Sequence, residues 1–282
     1  MTMKPIIFLM LLLASLQAWP QQEHYQVYAL RFASTAHPFP IAEWAANGPK
    51  NDSVNIAFMI WLIRGSNGKN ILFDAGFLPG SVYEKEFDLK NYMRPDSVLS
   101  KLGLKAEDIT DIILSHPHWD HIDGIGLFPH AQIWIQKDDY NYFVSGAWQK
   151  PGAMGGFDKR DVRQLVDLSS KGRVTLVDGD NKEIMPGIKV FTGSRHTFNS
   201  QFVLVEIGTN RIVLASDNVW IYYNLEHLRP AAPGGTWDTA GYVNSMRRMK
   251  TLVTDQKYII PGHDAKVFSL FPKITEGVIK IE

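Results

Sequence analysis

Apolar and polar positions alternate along residues 25–33, the period of an extended strand. Residues 54–63 form a nearly unbroken apolar run instead, which predicts a strand buried on both faces. The turn Gly65-Ser66-Asn67-Gly68 and the apolar stretch 70–73 follow. Together they predict a hairpin that ends in Phe73-Asp74-Ala75-Gly76. Residues 95–102 predict a helix, with Asp96 in its first turn and Gly103 at its end. Residues 111–114 predict a short strand that runs straight into Ser115-His116-Pro117-His118. Another strand is predicted at 132–136 and a short helix at 137–144.

Residues 145–161 are rich in Gly, Pro and aromatics and show no period, the signature of an insertion or lid. Four further strands are expected at 173–177, 188–192, 202–207 and 211–215. A helix at 241–253 and a last strand at 258–260, ending in Pro261-Gly262-His263, complete the pattern. The strands fall into two groups, each followed by helices. That order predicts an α+β chain with two sheets face to face and helices outside, an αββα four-layer sandwich. No repeat of solenoid length interrupts it.

Composition narrows the reading. With 282 residues, 45% of them hydrophobic, the chain can build one large domain. Lys plus Arg equals Asp plus Glu, 29 against 29, so no general attraction for nucleic acid is expected. Residues 1–20 predict a secretory signal peptide. Lys4 supplies the positive start, residues 6–14 an apolar run too short to span a bilayer, and Ala14, Ser15 and Ala18 the small residues near a cleavage point. The mature domain would then be 21–282, exported to the periplasm or the medium, with no stable membrane association. The chain has no cysteine, which excludes disulfides and any thiolate metal site. A metal here must be held by imidazole and carboxylate.

The candidate chemistry centres on His116-Pro117-His118-Trp119-Asp120-His121. Three histidines and an aspartate follow a predicted strand, on a loop that a rigid element holds. His116 and His118 can grip one ion, and Asp120 and His121 can face a second. His196, Asp217 and His263 each lie just after a predicted strand and are the natural completion. His24, His37, His130 and His227 have no such setting and read as surface or loop residues.

This HxHxDH motif, followed by His, Asp and His on successive strand ends, resembles the metallo-β-lactamase superfamily, over nearly the whole mature chain. Phe73-Asp74-Ala75-Gly76 resembles its first motif, in which a buried Asp supports the metal loop. The resemblance implies the αββα metallo-β-lactamase fold and two divalent ions, zinc by default. It places His116, His118 and His196 on the first ion, Asp120, His121 and His263 on the second, and Asp217 between both. A bridging Asp is similar to the glyoxalase II, lactonase and phosphodiesterase branches. Ser115-His-Pro-His-Trp-Asp-His-Ile-Asp-Gly looks most like the N-acyl-homoserine lactone lactonases, and the signal peptide like their exported, quorum-quenching subgroup.

The implied reaction is opening of a lactone ring by a hydroxide shared between two metals, with Asp120 moving the proton. Many of these lactonases carry a catalytic Tyr three residues after the bridging Asp, where this chain has Trp220. Tyr223 or Tyr222 is the expected substitute, so Tyr223→Phe is expected to lower turnover more than binding. Trp44, Met154, Phe157 and Trp220 are candidates for an apolar acyl groove. A small-molecule lactone is the expected partner, and a homodimer is left open. The alternatives are another ester-type hydrolase on this scaffold (thioester, organophosphate triester, phosphodiester or another lactone), a β-lactamase, and a non-enzymatic metal-binding protein.

Overall fold

The structure is a computed structural model, and it describes residues 23–81, 83–149 and 155–282. The predicted signal peptide and Met154 lie outside the described residues. Two large sheets form. The first runs in the order Lys273–Thr275, Val278–Ile281, Tyr25–Thr35, Ala57–Gly65, Asn70–Phe73, Asp111–Ile113, Gln132–Gln136, Val174–Val177. Its early half is antiparallel; from Asn70–Phe73 to Val174–Val177 it is parallel. The second runs Lys182–Met185, Ile188–Thr192, Gln201–Ile207, Asn210–Ser216, Ile259–Pro261, antiparallel except for its last pair.

The first sheet is buried on both sides, and its side chains divide by parity. Val27, Ala29, Met59, Trp61 and Ile63 point into the core shared with the second sheet. Their neighbours Tyr28, Leu30, Phe58, Ile60 and Leu62 enter a separate core under the outer helices, with Val98, Phe143, Leu165 and Leu168. On the far side, Tyr242, Met246 and Met249 of helix Thr239–Leu252 join the core of the second sheet. Asp238 caps that helix by accepting from the Gly241 N–H at 2.8 Å. The αββα sandwich is therefore observed, because each sheet needs a partner on both apolar faces.

Several elements depart from expectation. The apolar run at 54–63 is split: Ser53–Val54 pairs with Phe39–Pro40, and the long strand is Ala57–Gly65. The aperiodic stretch ends sooner than its composition implies, because helix Lys159–Ser170 begins within it. Asp158 caps that helix, and Leu165 and Leu168, three apart, bury its inner face. The strand Lys182–Met185 and the C-terminal hairpin Lys273–Thr275 with Val278–Ile281 were not anticipated. Both are short edge or near-edge elements whose pairing is decided by neighbours rather than by a local pattern.

The candidate metal centre

Every expected ligand stands where a strand of one sheet stops. Strand Asp111–Ile113 delivers Ser115 to His118, and a single turn, Trp119–Ile122, carries Asp120 and His121. From the second sheet, His196 follows Ile188–Thr192, Asp217 follows Asn210–Ser216, and His263 follows Ile259–Pro261. The two sheets thus bring together all seven residues. They form two groups, His116, His118, His196 and Asp217, and Asp120, His121 and His263, with ligand atoms within 4.8 Å of one another in each.

Asp217 stands between the groups. Its Oδ2 lies 3.1 Å from His196 Nε2 and 3.8 Å from His116 Nε2. Its Oδ1 lies 3.0 Å from His263 Nε2 and 3.4 Å from His121 Nε2. Asp120 Oδ2 approaches His121 Nε2 at 3.4 Å and His263 Nε2 at 3.5 Å. Each oxygen of one carboxylate therefore addresses a different set of imidazoles.

The outward nitrogens say which face of each ring is free. His121 Nδ1 faces Asp74 Oδ2 at 2.8 Å, and His196 Nδ1 faces the Gly235 carbonyl at 2.6 Å. Both acceptors require a proton on Nδ1, so in the neutral ring Nε2 is the lone pair and it points inward. His116 Nδ1 lies 2.8 Å from Ser115 Oγ, and His263 Nδ1 lies 3.4 Å from the Ala57 carbonyl. His118 is turned the other way: its Nδ1 sits 3.1 Å from His116 Nε2 and 2.9 Å from His196 Nε2. Three ring nitrogens converge where one proton at most can be shared. His121 Nε2 and Asp217 Oδ1 are buried with no hydrogen-bond partner. Buried polar atoms left without a partner are costly unless a cation completes them, and nitrogen and oxygen ligands without sulfur fit zinc or a similar divalent ion.

Charge agrees. Burial, then the neighbouring imidazoles, hold the pKa values of His116 and His118 well below the ordinary value, so both stay neutral ligands. Burial also disfavours charge on His121, but the carboxylates of Asp120, Asp217 and Asp74 outweigh it and push its pKa well up. At Asp217 burial opposes ionisation and the histidines around it prevail, so its carboxyl lies well below the usual range. His116 and His118 thus offer neutral lone pairs and Asp217 an ionised carboxylate, the forms in which these groups ligate a cation.

A buried frame holds these groups. Asp74 Oδ2 accepts from Ser115 Oγ at 2.9 Å and Ser216 Oγ at 2.8 Å, and Oδ1 from the Ser115 N–H at 2.8 Å. One carboxylate thus ties together three strand ends from both sheets. Asn218, which the sequence reading passed over, does the same for the second sheet. Its Oδ1 accepts from the Ser194 N–H at 2.7 Å and from Ser200 Oγ at 2.8 Å, while Nδ2 donates to the Gln201 and Ala215 carbonyls at 3.0 and 2.9 Å. Asp74, Arg195 and Ser216 adopt left-handed φ values of 62°, 53° and 46°. Strain of this kind persists only where the surroundings enforce it, and two of the three directly precede a ligand. Gly262 has a steric reason: a Cβ there would lie 2.5 Å from Asp217 Oδ1.

The centre forms one end of a cavity of about 640 Å³ whose walls include Phe39, Trp44, Phe58, Phe87, Trp119 and Trp220. Trp44 and Trp220 are thus at the expected groove, whereas Phe157 is buried beneath it with its ring 5.2 Å from that of His118. Tyr223 is not brought to this cavity. It lines another, of about 390 Å³, with Tyr222, Glu226 and Lys266, and its ring packs on His227 at 4.2 Å. The chain turns into helix Tyr222–His227 directly after Ile221, which carries both tyrosines away from the ligands. Trp220 instead keeps the position beside Asp217, donating its indole N–H to Oδ2 at 2.9 Å. The tyrosine on the cavity wall is Tyr83, whose hydroxyl donates to the Phe157 carbonyl at 3.3 Å; no local motif marked it.

Residues 59–263 match the family model of the metallo-beta-lactamase superfamily, and the chain belongs to that superfamily. Within it, the chain is a hydrolase related to the N-acyl homoserine lactonases. It is 26% identical over 196 residues to an N-acyl homoserine lactonase of Bacillus cereus, covering 68% of this chain and 70% of that protein. It is 26% identical over 185 residues to N-acyl homoserine lactonase AttM of Azorhizobium caulinodans, covering 61% and 64%. Among solved structures, an N-acyl homoserine lactone hydrolase with the product N-hexanoyl-L-homoserine at its catalytic metal center has a TM-score of 0.69 at 20% identity, covering 88% of this chain and 97% of that one. AidC, a dizinc quorum-quenching lactonase, has a TM-score of 0.65 at 18% identity, covering 91% and 94%. The structural likenesses bear out the fold.

Proposed function

We propose that this protein is a dinuclear metal hydrolase that opens the lactone ring of N-acyl-homoserine lactones. The observation that carries the reading is Asp217, whose two oxygens address two separate histidine sets at the end of an aromatic cavity. His116, His118 and His196 would hold one ion, Asp120, His121 and His263 the other, and Asp217 both. Two such ions supply a hydroxide nucleophile near neutral pH and a Lewis acid for the carbonyl.

The chain's own groups do the rest. The aromatic wall of Trp44, Phe58, Phe87 and Trp220 takes the acyl chain and excludes water from it. Asp120 lines the same cavity, so its carboxylate can hold a proton and pass it to the ring oxygen as the acyl C–O bond breaks. Asp74 and Asn218 keep the donors aimed. Among the described residues, the cavity wall carries Glu43 and Glu86 and no Lys or Arg. That lining disfavours phosphodiesters, whose negative charge would find no partner. Tyr223 takes no part, since it lines a different cavity.

The test is acid release from N-acyl-homoserine lactones of several chain lengths, followed by pH-stat with zinc-loaded protein. Release that a chelator abolishes is the expected result. No release from a protein shown to hold metal would overturn the substrate assignment. We also infer export of residues 21–282; among the described residues no helix is long and apolar enough to cross a membrane. A full-length chain that stays uncleaved inside the producing cell would refute export.

A further inference from the structure

We propose that Trp220 is a positioning residue of the metal centre, setting the rotation of the Asp217 carboxylate so that it can bridge. The inference rests on the two-ion reading above. A carboxylate turns easily about its last bond, yet a bridge needs one oxygen toward each ion. The indole N–H of Trp220 donates to Oδ2 at 2.9 Å, on the side of His116 and His196. Oδ1 is left buried and without a hydrogen-bond partner, facing His121 and His263. One oxygen is thus tied to the indole N–H, and the other faces imidazole nitrogens alone, 3.0 Å from His263 Nε2. That asymmetry is what an ordered bridging ligand needs before any ion arrives.

Trp220 reaches the other two donors of the second sheet as well. Its carbonyl accepts the His263 N–H at 2.9 Å. Its ring stands edge-on to His196 at 5.6 Å and to Trp44 at 5.4 Å. Its own N–H is anchored by donating to the Tyr242 hydroxyl at 2.9 Å. A Cβ on Gly235 would fall 2.3 Å from the indole, so the glycine whose carbonyl orients His196 also makes room for the ring. One side chain therefore contacts Asp217 and His196, and its backbone contacts His263.

The experiment is a zinc titration against a competing chelator, with wild type, Trp220→Phe and Trp220→His, each as the full mature chain. Wild type is expected to bind two ions. Trp220→Phe keeps a ring but loses the N–H, and is expected to hold the weaker ion roughly 10- to 100-fold less tightly, the usual effect of removing a partner of a metal ligand. Its kcat should fall with KM little changed. Trp220→His keeps a ring N–H and should lie closer to wild type. Wild-type-like affinity in Trp220→Phe would overturn the proposal, as would equal weakening in both variants, which would assign the effect to ring volume. In wild type, the isotope-labelled indole N–H resonance of Trp220 should move as zinc is added; an unmoved resonance overturns the proposal without any variant. A wild type that binds fewer than two ions would defeat the two-ion reading itself, and is seen before any variant is compared.

Discussion

The two sides of the centre are built differently. On the first sheet, four donors lie within six consecutive residues, His116 to His121, and one buried carboxylate, Asp74, secures them. On the second, His196, Asp217 and His263 come from three separate strand ends, and Asn218, Gly262 and Trp220 hold them in place. A contiguous loop tolerates small movements of its sheet because its donors move together. Dispersed donors keep their spacing only while three strands and their connecting hydrogen bonds stay in register. The first side should therefore govern chemistry, and the second should couple chemistry to fold stability.

The largest effect should come from the contiguous side. His118→Ala removes the Nδ1 that meets both His116 and His196, so one ion loses a ligand. Loss of the Lewis acid and its nucleophile is expected to lower kcat/KM by about a thousandfold or more, with little change in melting temperature of the ion-free protein. Metal analysis with lactone kinetics reads this. Undiminished turnover would sink the ligand assignment.

Asn218→Ala tests the dispersed side. It strands the buried Ser194 N–H and takes the Nδ2 donor from the Gln201 and Ala215 carbonyls, at a residue with no exposed surface. A stability loss of about 2–4 kcal/mol is expected in denaturant unfolding of the ion-free chain, from unsatisfied buried polar groups. A change under about 0.5 kcal/mol, the range of ordinary surface substitutions, would show that the strand ends need no such tie.

Asp74→Asn lies at the join, because Asp74 contacts Ser115, His121 and Ser216. Metal affinity is expected to fall about 10- to 100-fold, the range for partners of metal ligands. Equal affinity would mean that the contiguous loop orients itself.

A smaller effect concerns pH. Asp161 is fully buried, and desolvation together with the neighbouring Asp123 pushes its carboxyl up to about 9 from 3.8. Arg160 pulls against that shift and pairs with Asp123 at 2.9 Å, beside the metal loop. The folded chain thus holds a proton that the unfolded chain releases above pH 3.8. Stability should fall as pH rises from about 4 to about 9 and be insensitive to this group outside that window. Asp161→Asn is expected to flatten the slope in unfolding curves taken across the window. An unaltered slope would assign it to other groups.

The smallest effect is expected at Tyr223, which borders the other cavity. Tyr223→Phe should leave kcat within about twofold, well under one kcal/mol. A tenfold drop would restore it to the reaction.

What the sequence determined by itself was the layered architecture and which seven side chains would be brought together at the candidate centre. Period-two and continuous apolar runs are local signals, and they named most strands of both sheets. The donors were legible because the motif is contiguous and because polar residues recur directly after apolar strands, as at His196, Asp217 and His263. Even the role of Asp74 was local, since it ends a buried strand. Helix Lys159–Ser170 was missed, because the Gly-rich stretch before it hid its start, even though Asp158 caps it and Leu165 and Leu168 stand three apart on its inner face. Tertiary structure alone decided the rest. Whether a side chain after Asp217 points at the centre depends on how the chain turns, and helix Tyr222–His227 carries Tyr223 away while Trp220 stays. Asn218 matters because a second strand end lies within hydrogen-bond reach, and Gly262 because a carboxylate from another strand fills its side-chain space. Such contacts join residues far apart in the chain, and no period or local propensity encodes which of them will meet.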